Sequence, residues 1–157
     1  MSVQFRNFKA ADFDDLAGMV LGLYTKDGQQ SSAMTVGNVA LSVEKLTAPG
    51  SAGQIYIFEE KAIIAGYSIV NRFWSNEFAG YILYIDELYV QPAFRNKGLG
   101  AHFFDYLEKK PPHEYVAFML ETVHSNEGAK RFYQKNGFGT HHNHLMFKHL
   151  GRKTMAT

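Results

Sequence analysis

The chain has 157 residues, a formal net charge of +1 and no cysteine. This length is typical of one domain with one hydrophobic core. The balanced charge lacks the basic surface of nucleic-acid binding proteins, and the absence of cysteine excludes disulfides, thiolate metal sites and a cysteine acyl-enzyme. Apolar runs are interrupted well before the ~18 residues of a membrane span, and the N-terminus lacks an apolar signal core. We therefore expect a cytoplasmic protein with neither nucleic acid nor a membrane as its partner.

The hydrophobic pattern predicts a strand, two helices, three strands, a helix, a strand, a helix and terminal strands. The predicted strands cover 3–8, 54–59, 62–73, 78–90 and 115–123, with a closing β arm at 138–139 and 144–150. The predicted helices cover 13–24, with Asp12 as its cap, then 36–46, a stretch from Leu99 to the stop at Pro111-Pro112, and a stretch after Asn126. We expect one domain over 1–150, a loop at 26–33 and a frayed tail at 151–157.

The run VQPAFRNKGLG at 90–100 closes a predicted strand and opens a predicted helix. Gly98 and Gly100 allow a tight turn and a close approach to a ligand, and the first N–H groups of a helix attract anions. Arg95 and Lys97 add positive charge. The run lacks the third glycine of a dinucleotide fold and the Gly-Lys-Ser/Thr of a P-loop. It therefore predicts a pyrophosphate-binding turn, with an ordinary strand-to-helix turn as the alternative.

The run NEGAKRFYQKNGF at 126–138 predicts a short helix. Ser125 or Asn126 suits its N-cap and Gly137 suits a left-handed C-terminal stop. Together the two runs resemble the motifs of the GNAT acetyltransferase superfamily. The first matches Arg-x-x-Gly-x-Gly after Val-x-Pro, and the second matches Asn-x-x-Ala-x-x-Phe-Tyr-x-x-x-Gly-Phe at every named position.

The resemblance covers almost the whole chain and implies the GNAT fold, an α+β (α/β) single domain. Such a fold has a central mixed, largely antiparallel sheet with helices on both faces, splayed between the strand ending at Val90 and the strand ending near Val123. Acetyl-CoA binds in that gap. The implied contacts are the main chain of Leu88, Tyr89 and Val90, the stretch Arg95, Asn96, Lys97, Gly98, Leu99, Gly100 and Ala101, and Asn126 with Tyr133. Asn126 also fits a plain helix cap. Homodimers are common in the family, which adds a homodimer to the expected partners.

Acetyl transfer to an amine poses two proton problems. The amine, with a pKa of about 10.4, must lose a proton before it attacks, and the departing thiolate, with a pKa of about 8.5, is helped by a proton donor. The resemblance places the phenol of Tyr133 at the thioester sulfur as that acid. A core aromatic residue is the alternative interpretation of this position.

Asp86 and Glu87 stand in the apolar strand YILYIDELYV, where an unpaired charge is costly to bury. Successive strand residues face opposite sides, so only one acid points into a given cleft unless a bulge intervenes. The residues alone do not select the base, and ion pairs with Lys or Arg are the alternative role. The segment 84–90 resembles the Leu-Glu-Asp-Phe/Leu-Phe/Tyr-Val of diamine and thialysine acetyltransferases, which implies Asp86 as the base, acting through water, and Glu87 as an acceptor-binding carboxylate. The order of the two acids is reversed here.

The aromatic run 71–78 and the pair Leu23-Tyr24 resemble the border of the acceptor pocket in that branch. Because 26–30 lacks a run of acids, we expect a small amine or an amino-acid-like amine as acceptor. The histidines at 141, 142, 144 and 149 lack a carboxylate at ligand spacing and predict no metal site, although the first two suit an acceptor contact. A non-catalytic acyl-CoA-binding sensor or interaction module and a protein or peptide N-acetyltransferase, with contacts through 25–34 and 139–143, are the alternatives.

Overall fold

The computed structural model describes residues 3–26, 34–109, 115–148 and 150–151. Its elements are β1 (Val3–Asn7), α1 (Phe13–Lys26), α2 (Val36–Thr47), β2 (Gly53–Glu60), β3 (Ile63–Ser75), β4 (Gly80–Val90), α3 (Leu99–Lys109), β5 (Tyr115–Met119) and α4 (Glu127–Lys135). Their types and order are those predicted up to α4. The predicted loop after α1, the double-proline stop, His149 and most of the tail lie outside the described residues. No helix in the described ranges is long and apolar enough to cross a membrane.

The five strands form one mixed sheet in the order β1-β2-β3-β4-β5. The first four pair antiparallel, and β4 pairs parallel with β5. The parallel pairing covers only Tyr81 to Tyr84 of β4. Beyond it β4 continues to Val90 with no described strand on that side, so the sheet is splayed there. The predicted single-domain α+β fold with a splayed, largely antiparallel sheet is confirmed.

Alternating side chains of the sheet supply two separate cores, one on each face. Ile55 and Ile57 of β2 pack with α1 and α2, whereas the intervening Tyr56 and Phe58 pack on the other face with α3. Phe103 of α3 is fully buried there, in contact with the rings of Tyr56 and Phe58. Helices therefore cover both faces of the sheet, as the resemblance implied.

Asp12 does not cap α1 as predicted. Its carboxylate accepts two hydrogen bonds from Arg6, at 2.8 and 2.9 Å, and one from the Lys9 N–H at 2.7 Å. Arg6 also donates to Glu59 at 2.7 Å. The two-pronged, charge-assisted contact with the Arg6 guanidinium ties the start of α1 to β1 and β2.

The predicted closing β arm is wrong for the described residues after α4, which contain no strand. Leu145, Met146 and Phe147 are 71%, 90% and 80% exposed. Apolar alternation produces a strand only where a sheet edge is available for ladder pairing, and the described residues of this segment join no strand ladder. The strand predicted at 115–123 likewise ends at Met119, because β4 turns away from it beyond Tyr84.

Candidate active site in the splayed sheet

A groove of about 770 Å³ opens where β4 and β5 diverge. This volume lies within the usual ~300–1,000 Å³ of small-molecule sites. Its walls come from the end of β4, the turn before α3, the segment after β5, and α4. The lining residues are Leu23, Ile85, Asp86, Glu87, Leu88, Tyr89, Val90, Phe94, Arg95, Asn96, Leu99, Gly100, Glu121, Thr122, Val123, Ser125, Asn126, Gly128, Ala129, Phe132 and Tyr133.

Most predicted site residues are in that lining, including all three predicted catalytic residues. Lys97, Gly98 and Ala101 are not: they lie beside the groove, in the turn and the first turn of α3. The aromatic run 71–78 lies around the tip of the β3–β4 hairpin, at the far end of β4, and none of it lines the groove. Of the residues expected to border the acceptor, Leu23 lines the groove and Tyr24 contacts a groove carboxylate.

The turn before α3 brings the start of that helix to the groove. Asn96 and Gly98 have φ of +61° and +78°, the left-handed region that lets the chain reverse direction sharply. The helix begins at Leu99, whose side chain is buried while its residue borders the groove. Free N–H groups at this end carry partial positive charge toward the groove. The turn therefore suits a phosphate group of a bound ligand.

Gly100 lines the groove and also lies against α4. A Cβ at this position would lie 2.6 Å from Cζ of Phe132 in α4, closer than real side chains approach. The missing side chain lets α3 and α4 pack tightly against each other on one side of the groove. Gly100 therefore combines a place in the groove lining with close packing of the two helices.

Arg95 lies folded along the end of β4. Its Nε donates a 2.9 Å hydrogen bond to the Val90 carbonyl, and its guanidinium lies 5.5 Å from the centre of the Tyr89 ring. The N–H of the next residue, Gln91, points the other way and donates a hydrogen bond to the Ala65 carbonyl of β3. The main-chain N–H and C=O groups of successive strand residues point to opposite edges of the strand. Those of Val90 and Leu88 therefore point into the gap where β4 and β5 diverge. An extended ligand arm in the groove finds hydrogen-bonding partners along this edge.

A β-bulge brings the two acids of β4 to the same groove. Ile69 of β3 is opposite Glu87 and Val70 is opposite Ile85, so Asp86 is the extra, unpaired residue. Without the bulge, neighbouring side chains would face opposite sides of the sheet. Both carboxylates line the groove. The sequence left open that a bulge could bring both acids to one cleft, and the chain adopts this arrangement.

Glu87 is a buried carboxylate held by two phenols. Oε1 accepts a 2.7 Å hydrogen bond from Tyr24 and Oε2 accepts one of 2.7 Å from Tyr67, and the residue is 9% exposed. Burial raises the pKa of Glu87 and the negative charge of Asp86 adds to the rise, whereas the two phenol bonds oppose it. In the described part of the chain no Lys or Arg forms an ion pair with either acid.

Asp86 presents an exposed carboxylate inside the groove. Although the residue is exposed, the groove walls partly desolvate the carboxylate and so raise the pKa of Asp86, and the negative charge of Glu121 raises it further. Glu121 in turn accepts a 3.1 Å hydrogen bond from Tyr84, whose pKa burial and this carboxylate raise to about 12. A carboxyl with a raised pKa is a better proton acceptor than an ordinary aspartate.

Tyr133 and Asn126 reach the groove from α4 and its cap. The Tyr133 ring packs against Phe104 and Phe138, with ring centres 6.2 and 5.6 Å away, and burial raises the pKa of its phenol. The phenol is therefore protonated at neutral pH and available as a donor. Asn126 Oδ1 accepts the Ala129 N–H at 3.0 Å, so the residue caps α4 and lines the groove at once.

Sequence reasoning missed the wall that follows β5. Glu121, Thr122, Val123 and Ser125 line the groove there, and Phe132 lines it from α4. Two signals pointed to them: ligands bind at the carboxyl ends of parallel strands, and Glu121 is a lone charge after an apolar run. His141 and His142 are exposed and do not line the groove, and no three potential metal ligands converge among the residues with described positions.

Comparisons with known proteins agree with this geometry. The family model described as the acetyltransferase (GNAT) family matches residues 23–138. A structure described as "a possible acetyltransferase from Clostridium difficile 630" superposes with a TM-score of 0.80 at 18% identity, covering 96% of this chain and 100% of that one. Ribosomal-protein-alanine N-acetyltransferase of Brucella melitensis biovar Abortus 2308 gives 0.76 at 13%, covering 94% and 100%. Glucosamine-6-phosphate N-acetyltransferase of Arabidopsis thaliana gives 0.65 at 19%, covering 96% and 100%.

At these identities the structural likeness shows a shared fold, and the activities belong to those proteins. No curated protein sequence matches the chain. The family match, in contrast, spans most of the chain and includes the β4 acids, the turn before α3, and α4 with Tyr133. Members of this family use acetyl-CoA as co-substrate. The chain therefore belongs to the GNAT acetyltransferase family and is an acyltransferase.

Proposed function

We propose that the protein transfers an acetyl group from acetyl-CoA directly to a primary amine, the acceptor being a small amine or an amino-acid-like amine. The observation that carries this proposal is the composition of the groove. A helix N-terminus with a left-handed turn lies at one end, an unpaired strand edge runs along it, and two carboxylates lie in its floor. The helix N-terminus suits an anion, the strand edge suits an extended arm that contains amides, and the carboxylates suit a cationic amine.

The residues fit acetyl-CoA in the following way. Asn96, Lys97, Gly98 and the start of α3 would hold the pyrophosphate, with Arg95 as a further counter-charge. The main chain of Leu88 and the N–H of Val90, on the edge of β4 beyond the β5 pairing, would pair with the pantetheine arm as in a strand addition. Asn126 borders the opposite wall. When bound, the co-substrate supplies a thioester carbonyl for attack, and the protein supplies the orientation.

Asp86 is the proposed base. It takes one proton from the acceptor ammonium, through a water molecule, and passes it to solvent. The neutral nitrogen then forms a bond to the acetyl carbonyl carbon, and the carbon–sulfur bond breaks with its electron pair on sulfur. The exposed, raised-pKa carboxyl at the bulge supports this role, and general bases contribute ~10²–10⁴ in rate.

Tyr133 is the proposed acid. Its phenolic proton goes to the departing thiolate, and the second proton of the nitrogen returns to the phenolate through solvent, so that one proton is released overall. Burial of the phenol supports this role because it keeps the proton in place until sulfur becomes basic. Glu87 is the proposed acceptor-binding carboxylate, with its orientation set by the two phenols.

We further propose 1–150 as the acetyltransferase domain, 151–157 as a tail, and a homodimer as the assembled form. The exposed apolar side chains of Leu145, Met146 and Phe147 support the dimer, because such groups are costly to leave in water. Sedimentation of the purified chain at low and high concentration tests this part separately.

The proposed reaction is tested by thiol release from acetyl-CoA in the presence of acceptors. Because the chain has no cysteine, every free thiol detected comes from the co-substrate. The panel contains diamines and polyamines, lysine and thialysine, aminoglycosides, and peptides with free N-termini. We expect turnover with a small-amine class and a loss of at least ~10²-fold in Asp86→Asn and in Tyr133→Phe.

Matched controls are Asp105→Asn and Tyr106→Phe, both in α3 and away from the groove. They are expected to retain the wild-type rate within about twofold. Turnover with peptides alone would contradict the proposed acceptor class and favour the protein or peptide N-acetyltransferase. Acetyl-CoA binding by calorimetry without thiol release in any mixture would contradict the proposed reaction and favour a sensor.

A further inference from the structure

Two consecutive residues of β3 contact Glu87 from behind the groove. Tyr67 holds its carboxylate, and the Ser68 hydroxyl donates a 2.8 Å hydrogen bond to its main-chain carbonyl. Both β3 residues have no exposed surface, and neither lines the groove. Ser68 is thus a buried polar side chain on the main chain of the bulge, with no access to a substrate.

The hydrogen bond from Ser68 to the Glu87 carbonyl lies beside the β-bulge and can stabilise it. An extra residue interrupts the ladder, leaving local main-chain groups without their regular cross-strand partners. Ser68 is opposite Leu88, and only the pair Ile69–Glu87 separates it from the register shift between Ile69 and Val70. Its hydroxyl therefore bonds the residue adjacent to Asp86, at the point where the strand would otherwise relax into a regular register. A regular register would turn one of the two acids away from the groove.

We propose that Ser68 is a positioning residue of the acyl transfer: its bond to the Glu87 carbonyl fixes the β-bulge and thereby aims the Asp86 carboxylate into the groove. This inference rests on the proposed function, because it acts through Asp86 as the base. A misplacement of a catalytic group by about 1 Å costs ~10²-fold in rate. Removal of the hydroxyl should therefore slow the reaction and leave acetyl-CoA binding intact.

The test is a double-mutant cycle with Ser68→Ala, Asp86→Asn and the double variant. Rates are measured as thiol release at pH 9, where a larger fraction of the amine is neutral and the slow variants still turn over. We expect Ser68→Ala to lower kcat/KM for the amine by about 10- to 100-fold when Asp86 is present. In the Asp86→Asn background the same change should alter kcat/KM by less than about twofold.

Three measurements separate positioning from folding. Ser68→Thr keeps the hydroxyl and should retain at least about half of the wild-type rate. Tyr56→Phe removes a hydroxyl from another buried sheet residue outside the groove, and should leave the rate within about twofold. Calorimetric Kd values for acetyl-CoA should stay within about twofold in every variant.

An equal loss from Ser68→Ala in both backgrounds would overturn the inference, because a merely structural role does not depend on Asp86. A Ser68→Ala variant that matches the wild type at every pH would overturn it as well. The proposed function fails in a different way, namely by the absence of amine-dependent thiol release from the wild-type protein. The two failures are therefore distinguishable in one set of assays.

Discussion

The phenol of Tyr24, in the last turn of α1, donates a 2.7 Å hydrogen bond to Oε1 of Glu87 in β4, 63 residues further along the chain. This bond joins the helix on one face of the sheet to a buried carboxylate in the groove. It also favours the ionised carboxylate, in opposition to the effect of burial. The charge that would attract an acceptor ammonium thus depends on a residue from another layer of the fold.

Tyr24→Phe is expected to raise the pKa of Glu87, because it removes a bond that stabilises the charged form. A cationic acceptor binds the ionised carboxylate, so its KM rises as pH falls through that pKa. In the variant this rise in KM should therefore begin at a higher pH than in the wild type. Tyr106→Phe is the control, and the same KM curve for Tyr24→Phe and wild type from pH 5.5 to 9 would contradict the prediction.

Glu121→Gln is expected to lower the pKa of Asp86, since it removes the like charge that helps to raise it. Asp86 acts as a base only when ionised, so activity is lost as pH falls through its pKa. The acid limb of the kcat/KM profile should therefore move to lower pH in the variant. Glu108→Gln, an exposed change in α3, should leave the profile in place. An unmoved or oppositely moved acid limb in Glu121→Gln would refute the coupling.

Gly100→Ala is expected to destabilise the protein, because the new methyl group would lie 2.6 Å from Phe132 Cζ. Forced repacking of this kind costs about 1–3 kcal/mol. Gly18→Ala is the matched change in another helix, with no atom within 4 Å of the new Cβ, and should raise the free energy of unfolding by about 0.5–1 kcal/mol. Urea unfolding measures both, and effects of the same sign would contradict the packing role of Gly100.

Asp12→Asn is expected to lower the free energy of unfolding at pH 7 by about 2–4 kcal/mol, since it leaves the part-buried Arg6 with a weaker set of partners. The Arg6 contact lowers the pKa of Asp12. Stability from such a carboxylate is fully present above its unfolded pKa of about 3.9 and is lost as pH falls through the lower, folded pKa. The difference between wild type and variant should therefore shrink below pH 4, while Asp14→Asn should differ little at any pH.

The sequence was sufficient for most elements because their signals are local. Helical spacing of apolar residues placed α1 and α2, and the glycine turn with its following helix placed one end of the groove. The closing β arm was wrong because a strand needs a partner edge, and alternation in 144–150 does not reveal whether one is available. The close packing of Gly100 against Phe132 was not foreseen for a similar reason, because Phe132 belongs to another helix.

In the candidate site, too, the sequence revealed the features with local signals and did not reveal the contacts between different elements. The acid pair and Tyr133 were found from the chain alone, because charges in an apolar strand and a two-part motif are visible in one dimension. Glu121 as a neighbour of Asp86, the two phenols on Glu87 and the hydroxyl of Ser68 were not, because each contact joins residues from different elements.

The sequence by itself predicted the α+β order and the glycine turn before α3, and its resemblance to the family named Asp86 and Tyr133 as the candidate base and acid. Only the tertiary structure decided that Asp86 and Glu87 share one groove, because the bulge is a property of the pairing between β3 and β4. It also decided the charge balance there, because burial and like charge raise the pKa values of both acids while phenols from α1 and β3 oppose the rise at Glu87. The strand register and the pKa values of the two acids both depend on residues that are distant in the sequence and become neighbours only when the chain folds.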